Sequence, residues 1–253
     1  MKGIVKILVL VLVLTGGSTA VASYYSTNFD SHAVWTTVQG QDGWTSYGNS
    51  SKMYAKPASG GVSDRGLAFL SYGVGDSYAW RPISDVPDNS KVRVEFDVEL
   101  SDYYGYGEIW CMGRDGTGGQ YPQSFQIYIN GSKDTGYQVA TNQNGGNFYS
   151  VTGGMRMAIA TTAHIAIDAD YGTHTYTVNV QNGVNTWIKS GLSWTDTTGI
   201  NGSTDALRGL YYSGVGDQSI VVDNINVVPE PATAAILALG GMVFRLRGKR
   251  RVK

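Results

Sequence analysis

Three carboxylates alternate along one short segment of the chain, at Glu95, Asp97 and Glu99. On a β-strand, residues two apart share a face, so all three would lie on the same side. Paired carboxylates can act as nucleophile and general acid/base, and retaining hydrolysis of a glycosidic bond needs them about 5–5.5 Å apart. The Cα atoms of Glu95 and Glu99 would lie about 13 Å apart on a strand, so their side chains would have to lean together over Asp97.

This segment, which reads EFDVE, resembles the ExDxE signature of the laminarinase-like retaining glycoside hydrolases. The resemblance implies that Glu95 is the nucleophile and Glu99 the acid/base. It also implies that Asp97 tunes the two glutamates. A hydrolase is therefore one hypothesis for this chain.

Two features of the flanking sequence favour a different interpretation. Lys91 and Arg93 continue the face that carries the carboxylates, which is typical of a charged strand face in contact with water. Residues 87–90 read PDNS, where the hydrolases have a segment rich in Trp and Gly. We therefore assign no catalytic residue and keep the hydrolase as the alternative.

Aromatic residues give the best indication of binding. Tyr and Trp offer a flat apolar face with a polar group at one end, which suits contact with a sugar ring. The same residues are common in the core of a β-sandwich, so for any single tryptophan we expect a core position. The candidates are Trp35, Trp44, Trp80, Trp110, Trp187 and Trp194, together with Tyr103, Tyr104 and Tyr106.

The sequence gives only weak indications of a metal site or a reactive thiol. The three histidines lack zinc-site spacing, and the single cysteine, Cys111, lies in an apolar run where burial disfavours the thiolate. Acidic residues in turns could bind Ca²⁺ through their oxygens, although we favour the interpretation that they are solvated turn aspartates. We expect no cofactor, with calcium as an open alternative that has no assigned site. The residues concerned are His32, His164, His174, Asp102, Asp115, Asp168, Asp170 and Asp205.

The distribution of charge argues against a nucleic-acid partner. Residues 23–244 contain 11 basic and 20 acidic residues, a net charge of −9, and the other eight basic residues lie at the two ends of the chain. Nucleic-acid binding needs Lys and Arg to meet the phosphates. The central part of the chain has no such basic stripe.

The first 22 residues are typical of a cleavable signal peptide. Lys2 and Lys6 precede an apolar run at 7–14 that is too short to span a bilayer as a helix. Small residues at Ala20 and Ala22 predict cleavage by signal peptidase after Ala22. The alternative, a buried N-terminal helix, does not explain this order of features.

The C-terminal segment contains three features in order. The motif Pro229-Glu230-Pro231 comes first, an apolar run at 232–244 follows, and a basic end at 245–253 comes last. This order resembles the PEP-CTERM sorting signal. The resemblance implies recognition by exosortase, a membrane transpeptidase-like enzyme, in the envelope of a Gram-negative-type bacterium. The apolar run would form a short transmembrane helix with the basic end on the cytoplasmic side. An ordinary tail anchor is the alternative.

Alternating apolar residues predict strands through most of the remaining chain. The clearest segments are Lys91–Leu100 and residues 124–129, 173–180 and 219–228, and residues 155–167 predict one or two buried strands. The dipeptides at 130–131 and 182–183, both Asn-Gly, predict hairpin turns. About 12–14 short strands suggest an all-β fold of two packed antiparallel sheets.

Four short motifs resemble the concanavalin A-like lectin and glucanase jelly roll. They are Phe29-Asp30, residues 40–44 (GQDGW), Lys91–Leu100 and residues 220–225 (IVVDNI). The resemblance implies a jelly-roll sandwich and contact with carbohydrate. We therefore expect three parts: a signal peptide at 1–22, a β-sandwich at 23–228 and a sorting signal at 229–253.

The function that these features favour is that of an exported, non-catalytic protein of the cell envelope, cell surface or extracellular matrix. Its sandwich would bind glycan or serve a purely structural role. Its partners would be signal peptidase, exosortase, the membrane through the C-terminal helix and polysaccharide. The laminarinase-like hydrolase remains the alternative.

Overall fold

The computed structural model describes residues 23–31, 36–48, 53–57, 65–69, 77–84, 86–100, 105–112, 123–132, 134–142, 148–158, 161–194, 209–215 and 220–230. Within these ranges the chain forms fifteen β-strands and no helix. The strands are β1 (Tyr25–Thr27), β2 (Thr45–Gly48), β3 (Met53–Pro57), β4 (Arg65–Phe69), β5 (Ser77–Pro82), β6 (Lys91–Leu100), β7 (Gly105–Met112), β8 (Gln123–Ser132), β9 (Gly136–Asn142), β10 (Phe148–Ser150), β11 (Thr162–Asp170), β12 (Thr175–Asn182), β13 (Asn185–Ser193), β14 (Gly209–Val215) and β15 (Ile220–Pro229).

The described strands pair antiparallel and form two sheets. The eight-stranded sheet has the order β13-β12-β11-β6-β15-β4-β3, and β1 pairs with β15 beside this path. The seven-stranded sheet has the order β10-β9-β8-β7-β14-β5-β2. The prediction of an all-β fold of two antiparallel sheets is therefore confirmed.

The core lies between the two sheets and follows from alternation along the strands. In β6 the apolar residues from Val92 to Val98 are buried, and the polar residues between them lie on the outer face. Strands of the seven-stranded sheet alternate in the same way, with Ile127, Ile129 and Val139 buried. Each sheet therefore has an inner face towards the core and an outer face.

Two hydrogen bonds join inner-face residues of one sheet to the opposite side of the core. The hydroxyl oxygens of Thr141 on β9 and Tyr176 on β12 lie 2.8 Å apart. The hydroxyl of Tyr137 on β9 donates to the backbone carbonyl of Thr161 at 2.7 Å, and burial raises the pKa of Tyr137 to about 12. These bonds satisfy polar atoms that would otherwise be costly to bury.

The segment 40–44 forms a tight turn that delivers Trp44 into the core. The amide of Gly40 donates to the carbonyl of Trp44 at 2.8 Å, and the indole Nε1 of Trp44 donates to the hydroxyl of Tyr25 at 2.9 Å. Gly43 has a φ of +73°, and the guanidinium of Arg81 occupies the space that a Cβ at Gly43 would need. The positive φ favours glycine at this position. A Cβ would also require the guanidinium, at the end of the Arg81 side chain, to move.

The local predictions agree with the strands in part. Lys91–Leu100 is a strand with the predicted bounds, and the turn after Asn182 joins β12 to β13 as expected. The predicted hairpin turn at 130–131 is wrong, because both residues continue β8 and the turn comes at 134–135. Of the described residues in the segment 155–167, those from Thr162 onwards form a strand.

Most of the two predicted end segments lies outside the described residues. This applies to the signal peptide at 1–22 with Ala20 and Ala22, and to the tail from Pro231 onwards. The final strand extends through Pro229, which pairs with Val92. Among the residues that the structure describes, no helix is long and apolar enough to cross a membrane.

Candidate functional site

The three carboxylates of the ExDxE segment lie at outer-face positions of β6, near the middle of the eight-stranded sheet. Glu95 and Asp97 are half-buried, whereas Glu99 is only 4% exposed. The alternation that the sequence predicted for this strand is therefore present. Whether these groups are suited to catalysis depends on their partners.

Asp97 is held by residues from the two neighbouring strands. Its Oδ1 lies 2.8 Å from Nδ1 of His164 on β11, and its Oδ2 accepts a hydrogen bond from Nδ2 of Asn224 on β15 at 2.8 Å. Asn224 lies in a β-bulge with a φ of +49°. The bulge adds a residue to β15 and changes the direction of the side chains around it. Asp97 therefore links β6, β11 and β15.

These contacts shift the pKa values of both partners. Burial alone would raise the pKa of Asp97, but hydrogen bonds from His164 and Asn224 and the charge of His164 outweigh it and lower the pKa. The hydrogen bond to Asp97 raises the pKa of His164, against the smaller effect of burial. Both shifts favour a charged pair.

Glu95 is also engaged, through an ion pair on its own strand. Its Oε1 lies 2.6 Å from Nε of Arg93, and Nη1 of Arg93 lies 3.7 Å from Oδ1 of Asp168 on β11. Glu95 thus pairs with a basic residue of its own strand, and Asp97 pairs with one on the neighbouring strand β11. This arrangement favours a role in holding strands together over a role in hydrolysis.

A second polar cluster lies at the end of the same outer face. Nζ of Lys91 lies 3.3 Å from Oδ2 of Asp170 and 3.7 Å from Oε2 of Glu230. The amide of Glu230 also donates to the carbonyl of Lys91 at 3.1 Å. These residues border a surface depression of about 350 Å³, which also contacts Asp168 and Thr177.

This cluster bears on the calcium alternative. Oδ1 of Asp170 accepts hydrogen bonds from the amides of Gly172 and Thr173, and its other oxygen pairs with Lys91. Within the described ranges, no group of three or more His, Cys, Asp or Glu residues is arranged to hold a metal ion. Asp102, Asp115 and Asp205 lie outside the described residues, as does His32.

The candidate aromatic residues divide between the core and the surface. Trp44 and Trp194 are buried in the core, and His174 stacks on the ring of Trp194 at 5.5 Å. Trp187 is half-buried and packs against the core from β13. Trp80 on β5 is half-buried on the seven-stranded sheet. Trp35, Tyr103 and Tyr104 lie outside the described residues.

The register of the seven-stranded sheet assigns residues to its two faces. Ala79, Leu210 and Ile127 are buried and in inner-face positions, so the residues that alternate with them lie on the outer face. Cys111 pairs with Leu210, so the register puts it at an inner-face position of β7.

Three aromatic residues occupy consecutive positions in one outer-face row. Trp80 on β5 pairs with Tyr211 on β14, and Tyr211 pairs with Trp110 on β7. We call these three residues the aromatic row. The row continues through Gln126 on β8 to Asn142 on β9.

A second outer-face row lies beside the aromatic row and is also rich in tyrosine. Its positions across β2, β5, β14, β7 and β8 are Tyr47, Tyr78, Ser213, Glu108 and Tyr128. Tyr106, which the sequence indicated, lies one further position along β7 and pairs with Val215. By strand register, aromatic and amide residues therefore occupy most positions of these two rows, and Glu108 is their acidic member.

The sequence identified Trp80 and Trp110 as candidates but not Tyr211. Alternation within its own strand could have placed Tyr211 on the outer face, because it follows the apolar Leu210. That local pattern gives the face of the residue, and only the pairing of β14 between β5 and β7 puts it between the two tryptophans.

Comparison with known proteins identifies the architecture. No family model and no curated protein matches the sequence. The globular domain of T. cruzi calreticulin matches the structure with a TM-score of 0.53 at 12% identity, covering 85% of this chain and 91% of that one. Lectin II from Ulex europaeus matches with a TM-score of 0.50 at 11% identity, covering 82% and 99%.

The legume lectin-like domain from Entamoeba histolytica matches with a TM-score of 0.51 at 10% identity, covering 83% of this chain and 99% of that one. The fold is a legume-lectin-like β-sandwich. At these identities the likeness gives the fold and no activity, because one fold serves many functions.

Proposed function

We propose that this legume-lectin-like sandwich is a non-catalytic module that binds glycan on the outer face of its seven-stranded sheet. The observation that carries the proposal is the aromatic row of Trp80, Tyr211 and Trp110. Aromatic rings give large apolar contact at a low cost in conformational entropy, and the hydroxyl and indole groups add hydrogen bonds. Two of the structural neighbours are themselves described as a lectin and a lectin-like domain, which supports a search among sugars.

The surroundings of the ExDxE segment support the non-catalytic form of the proposal. Glu95 pairs with Arg93, and Asp97 pairs with His164 and Asn224. Retaining hydrolysis needs the nucleophile and the acid/base to flank one glycosidic bond, with their carboxyl groups about 5–5.5 Å apart. The laminarinase-like hydrolase, with Glu95, Asp97 and Glu99 in its site, is therefore the weaker hypothesis.

We also propose that the protein is exported and sorted to the cell envelope or extracellular matrix. The proposal rests on the sequence of the two ends, with signal peptidase acting after Ala22 and an exosortase-type enzyme recognising Pro229, Glu230 and Pro231. Cell fractionation tests it, with a variant that replaces Pro229-Glu230-Pro231 by Ala-Ala-Ala. Retention of a longer, unprocessed form in the membrane is expected, and unchanged processing would contradict the proposal.

Affinity electrophoresis of the full-length chain through gels that contain different polysaccharides tests the binding proposal. We expect retardation in at least one gel and loss of that retardation in Trp80→Ala. Trp187→Ala is the matched control, because it removes a half-buried tryptophan from the other sheet. No retardation in any gel, or equal loss in both variants with the fold intact by circular dichroism, would overturn the proposal.

A further inference from the structure

We infer that the sandwich holds the sorting motif against itself through Lys91, and that a sorting enzyme must displace this contact before it can bind Glu230. The inference rests on the proposed sorting through Pro229-Glu230-Pro231 and adds a means of regulating it. It follows from the hydrogen bonding, the burial and the charges at the end of β15.

The sorting motif begins inside the last strand of the sandwich. Pro229 is the final residue of β15 and pairs with Val92 on β6. Proline has no backbone N–H, so Glu230 is the one residue of the motif that can donate a backbone hydrogen bond. That amide donates to the carbonyl of Lys91 at 3.1 Å. The sheet therefore uses the single backbone donor of the motif.

The side chain of Glu230 is held by the same lysine. Its Oε2 lies 3.7 Å from Nζ of Lys91, and this Nζ also lies 3.3 Å from Oδ2 of Asp170 on β11. The side chain of Glu230 is 29% exposed, and its Oε2 is buried. A partner that recognises this carboxylate therefore reaches only part of it while the contact is in place.

Both edges of β15 are paired just before the motif. On one edge β6 pairs with β15 up to Pro229, and on the other edge Tyr25 of β1 pairs with Val227. The amide of Tyr24 also donates to the carbonyl of Val227 at 2.8 Å. We therefore expect the motif to open locally at the end of β15, while the strand before it stays in the sheet.

The charges around Lys91 explain why its loss should free the motif. The carboxylates of Glu230 and Asp170 both lie within ion-pair distance of its Nζ. Without that cation the two carboxylates face each other, and like charges repel. The pair is partly exposed and therefore weak, which suits a contact that a second protein has to displace.

Cleavage by a proline-specific endoprotease measures how often the motif opens in the purified full-length chain. Cleavage after Pro229 or Pro231 needs a detached segment, so its rate tracks the open population when reclosing is fast. Mass spectrometry identifies the products. We expect Lys91→Met to be cut about two- to fivefold faster than the wild type, and Lys91→Arg, which keeps the charge, to be cut at close to the wild-type rate.

A matched control separates this contact from a general effect of losing a lysine. Lys189→Met removes a lysine from β13, at one edge of the same sheet, and should keep the wild-type rate. At about 1 M sodium chloride the difference between Lys91→Met and the wild type should shrink, because salt screens the ion pair. Urea unfolding checks that every variant keeps its fold.

Pulse–chase labelling in a bacterium that carries an exosortase connects the contact to sorting. The shorter, processed form should appear about two- to fivefold faster for Lys91→Met than for the wild type, and at the wild-type rate for Lys189→Met. The variant with Ala-Ala-Ala in place of Pro229-Glu230-Pro231 reports in the same strain whether processing uses the motif at all.

Three results would overturn the inference. Equal protease rates for Lys91→Met and the wild type would show that Lys91 does not hold the motif. Faster protease cleavage of Lys91→Met with unchanged processing in cells, where the Ala-Ala-Ala variant is not processed, would leave the proposed sorting standing and show that the enzyme does not compete with Lys91. Normal processing of the Ala-Ala-Ala variant would overturn the proposed sorting and its regulation together.

Discussion

Nδ1 of His164 lies 2.8 Å from Oδ1 of Asp97, and this contact connects β11 to β6 at the outer face of the eight-stranded sheet. The two residues are paired in register, so the bond runs directly across the strands. Asp97, the middle carboxylate of the ExDxE segment, therefore has a structural role. We therefore expect the stability of the sandwich to depend on pH.

The direction of that dependence follows from the two pKa shifts. The pKa of His164 is raised in the folded state, so its contribution is full below 6.5, the value of an ordinary histidine, and is lost as pH rises through the folded pKa. The pKa of Asp97 is lowered, so its contribution is present above 3.8 and is lost as pH falls through the folded pKa. The pair therefore contributes most between about pH 4 and pH 6.5.

Replacing His164 tests this dependence. His164→Gln should lower the free energy of unfolding by about 0.5–1 kcal/mol at pH 5.5, a small loss because the pair is partly exposed. The loss should be smaller at pH 8.5, because His164 has lost its proton there. Urea denaturation at the two pH values measures the difference. Gln181→Ala, next to His164 in register, is an uncharged control that should cost the same at both. Equal losses for His164→Gln at the two pH values would refute the ion pair.

The turn that delivers Trp44 provides a second prediction. Gly40 and Gly43 both have positive φ values, so alanine is strained at either position. A Cβ at Gly40 meets open space, whereas a Cβ at Gly43 displaces the guanidinium of Arg81, which lies 4.7 Å from the ring centre of Tyr25.

Gly43→Ala should therefore destabilise more than Gly40→Ala. We expect a loss of about 1 kcal/mol for Gly40→Ala and of about 2–3 kcal/mol for Gly43→Ala in thermal or urea unfolding. Losses of the same size would mean that Arg81 moves aside without cost and that backbone strain alone explains both.

The hydroxyl pair across the core provides a third prediction. Thr141 and Tyr176 come from different sheets, are both buried, and have their oxygens 2.8 Å apart. Thr141→Val and Tyr176→Phe should each lower the free energy of unfolding by about 1–2 kcal/mol. Each removes one hydroxyl and leaves the other buried hydroxyl without this hydrogen bond. The double variant should cost about 0.5–1.5 kcal/mol less than the sum of the two. Strict additivity in urea denaturation would show that the two hydroxyls do not interact.

The hydrolase alternative is tested by enzyme assay. We expect no release of reducing ends from laminarin or β-1,4-glucans by the full-length chain, because Glu95 and Asp97 are engaged with basic partners. If activity is found, it should persist in Glu95→Gln and Glu99→Gln and so come from a contaminant. Activity that both substitutions abolish while the fold is retained would restore the catalytic interpretation.

The strands were predictable from the sequence where the pattern is local. In Lys91–Leu100 five apolar residues alternate with five charged ones, and alternation alone fixes both the strand and its faces. The hairpin turn predicted at Asn130-Gly131 was wrong because the pairing of β8 with β9 extends past these residues to Ser132. A favourable turn dipeptide does not decide where a turn lies when the partner strand is longer.

The sites were only partly predictable because their members come from distant parts of the chain. The aromatic row joins Trp80 and Trp110 through Tyr211, and the partners of Asp97 lie on β11 and β15. Each residue type was visible in the sequence, but strand order and register decide which residues meet. No periodicity within one strand carries that information.

The most direct test of the central claim is hydrogen–deuterium exchange of the full-length chain, with and without the polysaccharide that retards it most strongly in gels. Binding at the aromatic row predicts slower exchange in peptides from β5, β7 and β14, and no change in β6, β11 and β12. Protection confined to the eight-stranded sheet, or spread equally over both sheets, would contradict the proposed site.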